Sequence, residues 1–154
     1  MTERRFYHLT RKTLEQTLPG LLEKSLERGW RALVMTGSTE RAEMLNQYLW
    51  TYGKDSFLPH GTAKDGNAEH QPVLIHPAAE GMPEKAPNGA HVLFLTDGVD
   101  GQGLSGVELI CDLFDGNDPE AVAAARDRWR VAKAAGDDLT YWQQNERGGW
   151  EKKA

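Results

Sequence analysis

Two glycine-rich turns in this chain stand where a phosphate would be cradled. The first, Thr36-Gly37-Ser38, joins an apolar run to a helical one. A phosphate-binding P-loop needs G-x-x-x-x-G-K-[ST], whose lysine neutralises phosphate charge, and that lysine is missing here. The second runs from Asp97 through Gly98, Gly101 and Gly103 to Gly106. It carries two aspartates and no cation, and an apolar strand-like run follows where a phosphate-binding helix would begin. An enzyme binding a nucleotide through the Gly98 to Gly106 loop is the chief alternative reading, and only fold analogy supports it. His8, His60, His70, His76 and His91 form no H-x-x-x-H or H-E-x-x-H pair, and no cysteine cluster assists them, so no metal site is expected. There is no G-x-S-x-G elbow. The single cysteine, Cys111, lies in the apolar run 107–111, where a small buried hydrophobe is expected rather than a nucleophile. No catalytic residue and no cofactor are expected.

The spacing that does suggest binding chemistry lies between 118 and 136. Asp118 caps a helix, Pro119 takes its first position and Gly136 stops it. With Arg126 set at zero on a helical projection, Arg130 falls at about +40° and Lys133 at about −20°, so three cations share a narrow stripe. Val122 and Trp129, at about −40° and −60°, border it. A basic stripe is often only a solvated face. This one has an apolar, aromatic flank, which an acidic peptide ending in a bulky apolar residue would match in charge and shape. The opposite face, Ala121, Ala124, Ala125, Val131, Ala132 and Ala135, is expected to lie on a sheet. Arg128 falls in the middle of that face, at about 200°, so it is expected to be buried, paired and structural. Away from this helix, Trp50 at a helix end and Phe57 in Ser56-Phe57-Leu58 are either a core rim or an exposed hot spot for a second partner.

These groups need a scaffold, and the chain alternates strand and helix. Strands are expected at 5–9, 31–35, 56–58, 72–75, 90–96 and 107–114, and helices at 13–28, 40–50 and 118–135. Pro19 either kinks the first helix or marks its start. Residues 61–71 and 77–89 are expected as loops, and the end from Leu139 as an edge strand with a frayed tail. The alternation predicts one α/β domain with a mostly parallel central sheet and helices on both faces. Residues 1–142 form the domain and 143–154 a C-terminal tail.

Composition narrows the function. The 154 residues are 39% apolar and 27% charged, within the ordinary globular range. A net charge of −5 argues against an extended duplex-binding surface, so contact with DNA is expected to be indirect. Nowhere do 18 consecutive apolar residues occur, and the cations near Met1 precede no apolar stretch. With one cysteine and no signal peptide, a cytoplasmic location with no membrane contact is expected.

Several segments together resemble the chi subunit of bacterial DNA polymerase III across essentially the whole chain. They are Phe6-Tyr7-His8-Leu9, Leu49-Trp50 with Ser56-Phe57-Leu58-Pro59-His60, Ala125-Arg126-Asp127-Arg128-Trp129 with Ala135-Gly136, and the ending through Tyr141-Trp142-Gln143-Gln144 and Gly149-Trp150-Glu151-Lys152-Lys153-Ala154. The resemblance implies a single Rossmann-like domain, a subunit of a DNA-directed DNA polymerase complex with no activity of its own. It implies an adaptor joining the clamp-loader side of the replicase to the acidic C-terminal tail of single-stranded DNA-binding protein (SSB). On that likeness Arg126, Arg130, Lys133, Trp129 and Val122 match the tail-binding region. Trp50 and Phe57 match the aromatics facing the psi subunit or a helicase. The tryptophan-rich ending belongs to a branch that often lacks a recognisable psi.

Overall fold

The structure, a computed structural model, describes residues 3–51, 59–62, 68–78, 81, 83–99, 101, 104–147 and 149–154. The first strand, β1 (Glu3–Leu9), is followed by α1 (Leu14–Glu27), β2 (Ala32–Thr36) and α2 (Thr39–Thr51). Next come β3 (Gly61–Thr62), β4 (Val73–Pro77), β5 (Val92–Leu95) and β6 (Leu109–Asp115). Then α3 (Pro119–Ala134), β7 (Asp138–Gln144) and β8 (Trp150–Lys152) complete the chain. The strands form one sheet in the order β3-β4-β2-β5-β6-β1-β7-β8, parallel except for the antiparallel pair β7–β8.

Local chemistry explains the helix ends. Thr13 and Gln16 exchange bonds in a capping box that opens α1, and Gly29, at φ +79°, closes it. Pro19 therefore lies inside α1 and not at its start. It is buried, so packing offsets the backbone bond that a proline cannot donate. The Ser38 hydroxyl accepts the Arg41 N–H at the start of α2. Asp118 caps α3, and Gly136 follows it at φ +84°. The central strands β2 and β5 are buried at every position, as a sheet covered on both faces requires.

Both faces are covered, but unequally. Leu18 and Leu22 of α1 and Ala42, Leu45 and Leu49 of α2 pack with Val34, Ile75, Phe94 and Leu113 on one face. On the other, Ala125 of α3 joins Phe6 and Phe114 over β1 and β6, while Val99, Leu104 and Val107 cover Leu33, Met35 and Leu93. The molecule is a single α/β domain.

Two expectations need adjustment. Gly61–Thr62, read as loop, pairs with Leu74–Ile75 of β4, and Ala68–His70 forms a 3-10 turn. The strand expected at 56–58 lies outside the described residues. The segment from 143, set apart on sequence as a tail, continues the sheet: Gln143 and Gln144 end β7 and pair with Glu151 and Trp150 of β8. The ring of Trp150 stands edge-on to Tyr7, 4.9 Å between centroids, which anchors β8 to the core.

Candidate functional site

Helix α3 lies across β6, β1 and β7. Its buried side is Ala125 and Ala132, bordered by half-buried Ala121, Val122, Arg128 and Trp129. This corrects the face expected from the alanine pattern, since Ala124 and Ala135 are exposed and Val131 is 55% exposed. The helix is turned by roughly 50° toward Val122 and Trp129. Large apolar groups contribute far more on burial than alanines, so they decide which side faces the sheet. The Trp129 ring meets Phe6 edge-on at 5.3 Å.

The turn places the cations as the projection requires. Arg126, Arg130 and Lys133 are all exposed. Arg130 pairs with Asp127 at 2.9 Å, but both side chains are about three-quarters in water, and such a pair holds little energy. Among the described residues, neither Arg126 nor Lys133 has an ion-pair partner. Val122 and Trp129 stand where the stripe meets the sheet and pack against the cluster of Phe6, Phe114 and Ala125 with Leu139 and Tyr141.

Three members of this face escaped the sequence reading: His8, Phe114 and Tyr141. Tyr141 lies 5.9 Å from Trp129 and 6.0 Å from Phe114, ring to ring. His8 Nδ1 is 2.5 Å from the Tyr141 hydroxyl. Burial pushes the Tyr141 hydroxyl up in pKa, against the pull of the Arg126 charge. Burial also lowers His8 below its ordinary 6.5; a bond to the Gly116 backbone and the Asp115 charge oppose this, and the Arg126 charge adds to it. Arg126 is thus electrostatically close to both rings. Gly116 is obligatory here, because a Cβ would collide with the His8 ring and with the Leu9 carbonyl. The missed residues did leave a trace in sequence: the period of two places Phe6 with His8, and Leu139 with Tyr141, on single strand faces.

Arg128 is elsewhere. It sends two hydrogen bonds, at 2.6 and 3.0 Å, to the carboxylate of Asp112 on β6. Trp50 is 52% exposed on α2, with its ring 4.7 Å from that of His60. Phe57 lies outside the described residues, so its expected neighbourhood with Trp50 has no structural description.

Adjacent strands β6 and β1 send the chain to opposite faces, the arrangement at which α/β sheets open a ligand crevice beyond the strand ends. A cleft of about 750 Å3 lies there, lined in part by Arg11, Lys12, Glu15, Arg41, Asp97 and Asp115. Backbone donors at and near it that could meet a phosphate are bonded to the protein itself. The backbone N–H groups of Thr10, Arg11 and Lys12, in the first strand-to-helix turn, all donate to Gln144 Oε1 at 3.0 Å. The Gly37 N–H donates to Asp97, whose carboxylate also holds Arg41; Arg41 reaches Glu15 as well. Asp97 sits at φ +55°, an uncommon conformation outside glycine. Residues 100, 102 and 103 of the second glycine-rich turn lie outside the described residues. Among the described residues, no three His, Cys, Asp or Glu side chains gather as metal ligands would, and no helix is long and apolar enough to cross a membrane.

Three comparisons bear on this arrangement. The family model for the "DNA polymerase III chi subunit, HolC" matches residues 1–140. The "Probable DNA polymerase III subunit chi" of Rickettsia prowazekii (strain Madrid E) is 30% identical over 94 residues, 61% of this chain and 54% of the relative. The matched stretch spans about half the length of that curated relative. The crystal structure of T4 UvsW superposes with a TM-score of 0.63 at 9% identity, covering 92% of this chain and 41% of that one, a likeness of fold alone. Because the family match runs unbroken through both faces of the sheet, across α3 and into β7, the chain belongs to the DNA polymerase III chi subunit family.

Proposed function

We propose that this protein is a non-catalytic adaptor of the replicase, whose α3 face holds the acidic C-terminal tail of SSB. In this role it ties SSB to the clamp-loader side of DNA polymerase III and contacts DNA only through SSB. One observation carries the reading: exposed Arg126, Arg130 and Lys133 border an aromatic cluster of Trp129, Tyr141 and Phe114 with Val122 at its rim. The cations complement acidic side chains, and the cluster offers apolar surface to a bulky terminal residue. The chain as a whole is acidic, at −5, so this attraction is local.

Titration with SSB carrying and then lacking its C-terminal tail tests the reading. Binding is expected to require the tail and to weaken with salt, because the contacts are partly exposed. Arg126→Ala or Arg130→Glu should each remove about 1–2 kcal/mol, or roughly 5- to 30-fold in affinity, without unfolding the protein. Unchanged affinity in both variants would remove α3 as the site.

A second surface for psi or a helicase belongs to the same proposal. The exposed Trp50 on α2 supports it. A large aromatic with few rotatable bonds loses little entropy when it docks.

A further inference from the structure

We propose that His8 and Tyr141 form a proton-controlled contact within the peptide face: protonation of His8 frees the Tyr141 hydroxyl to donate to a carboxylate of the bound acidic peptide. The inference rests on the reading of α3 as a peptide site.

The Nε2 edge of the His8 ring lies against the Gly116 backbone, an interaction there favours the charged form, and in the inferred tautomer that nitrogen keeps its proton in both states. In the neutral ring Nδ1 has only a lone pair to offer. The Tyr141 hydroxyl, 2.5 Å away, must then donate to it, and its one proton is held inside the protein. When His8 takes up a second proton, Nδ1 becomes the donor and the Tyr141 oxygen accepts. The phenolic proton is released to any acceptor outside the pair.

The groups facing His8 set the direction of coupling. They are Tyr141 from β7, Asp115 at the end of β6 and Arg126 from α3. Asp115 favours the charged ring, whereas Arg126 and burial oppose it. A peptide carboxylate arriving beside Arg126 would offset that repulsion and accept the freed Tyr141 proton. Peptide binding should therefore make His8 a stronger base, and by reciprocity protonation should tighten the peptide. The window lies below His8's ordinary 6.5. Peptide carboxylates keep their charge down to about 4, so the measurement is made above that range.

The test uses the full chain and a short synthetic peptide of aspartates ending in phenylalanine with a free carboxyl group. Its affinity for the wild type should rise about 5-fold between roughly pH 8 and pH 5.5. His8→Asn keeps a polar group near Nδ1 but cannot titrate, and Tyr141→Phe removes only the hydroxyl; both should flatten the profile. The NMR titration of His8 should move to higher pH when peptide is added. Tight binding without a pH slope, a slope that survives in either variant, or a His8 titration unmoved by peptide would overturn the relay and leave the peptide site standing. No binding by the wild type at either pH would remove the peptide site and the relay with it.

Discussion

Asp112 points into a part of the domain that water barely reaches, with its side chain 3% exposed and its partner Arg128 at 11%. Burial pushes the carboxyl up in pKa, the two Arg128 bonds and the charge of Arg4 pull it down, and burial prevails. The ionised form is tolerable there only with the guanidinium in place. Arg128→Ala should therefore cost about 3–5 kcal/mol in a denaturant melt, because a buried charge is left without a partner. Replacing both Asp112 and Arg128 by leucine should recover most of that loss. The sign with pH follows from the raised pKa. The deficit of the single variant is full above the carboxyl's titration and shrinks as pH falls through it and the group becomes neutral. SSB-tail affinity of the folded variant should stay near wild type. Normal stability with lost binding would instead move Arg128 into the peptide face.

At the scale of elements, one glutamine joins the two ends of the chain. Gln144 ends β7, is buried, and gathers the three N–H groups of residues 10–12, while its own carbonyl accepts the Thr10 hydroxyl. Its amide nitrogen reaches Thr17 in α1. The C-terminal strand pair is thereby fixed to the β1–α1 turn, whose donors would otherwise face the cleft. Gln144→Ala should lower stability by about 1–3 kcal/mol, since those donors lose their shared acceptor. Amide hydrogen exchange should accelerate at residues 10–12 and in β8 before it does in β2 or β5. Protection unchanged at residues 10–12 would show that the turn holds without the glutamine.

Across the whole molecule, the sheet separates the two proposed surfaces. Trp50 belongs to α2 on one face and the basic stripe to α3 on the other. Two partners can therefore dock without competing for the same ground. In a pull-down from cells, Trp50→Ala should lose the replicase-side or helicase partner and keep SSB. Its thermal unfolding should stay close to wild type, as for most substitutions at exposed positions. Loss of SSB together with the second partner would show that the faces are not independent.

The alternation of strand and helix, the caps of α3, the clustering of three cations on one stripe and the pairing demanded of Arg128 were all legible in the order of residues. Each follows from spacing within one element or from the physics of a charge on a buried face. Tertiary structure decided which side of α3 meets the sheet, because Phe6 presents an aromatic surface that Trp129 fits and alanines do not. It also brought His8 beside Tyr141, 133 residues apart, and Gln144 beside Thr10, 134 apart. Periodicity records the phase of a side chain within its own strand or helix. Only strand order and register put two phases together, and here β1 between β6 and β7 assembles the aromatic face beside α3.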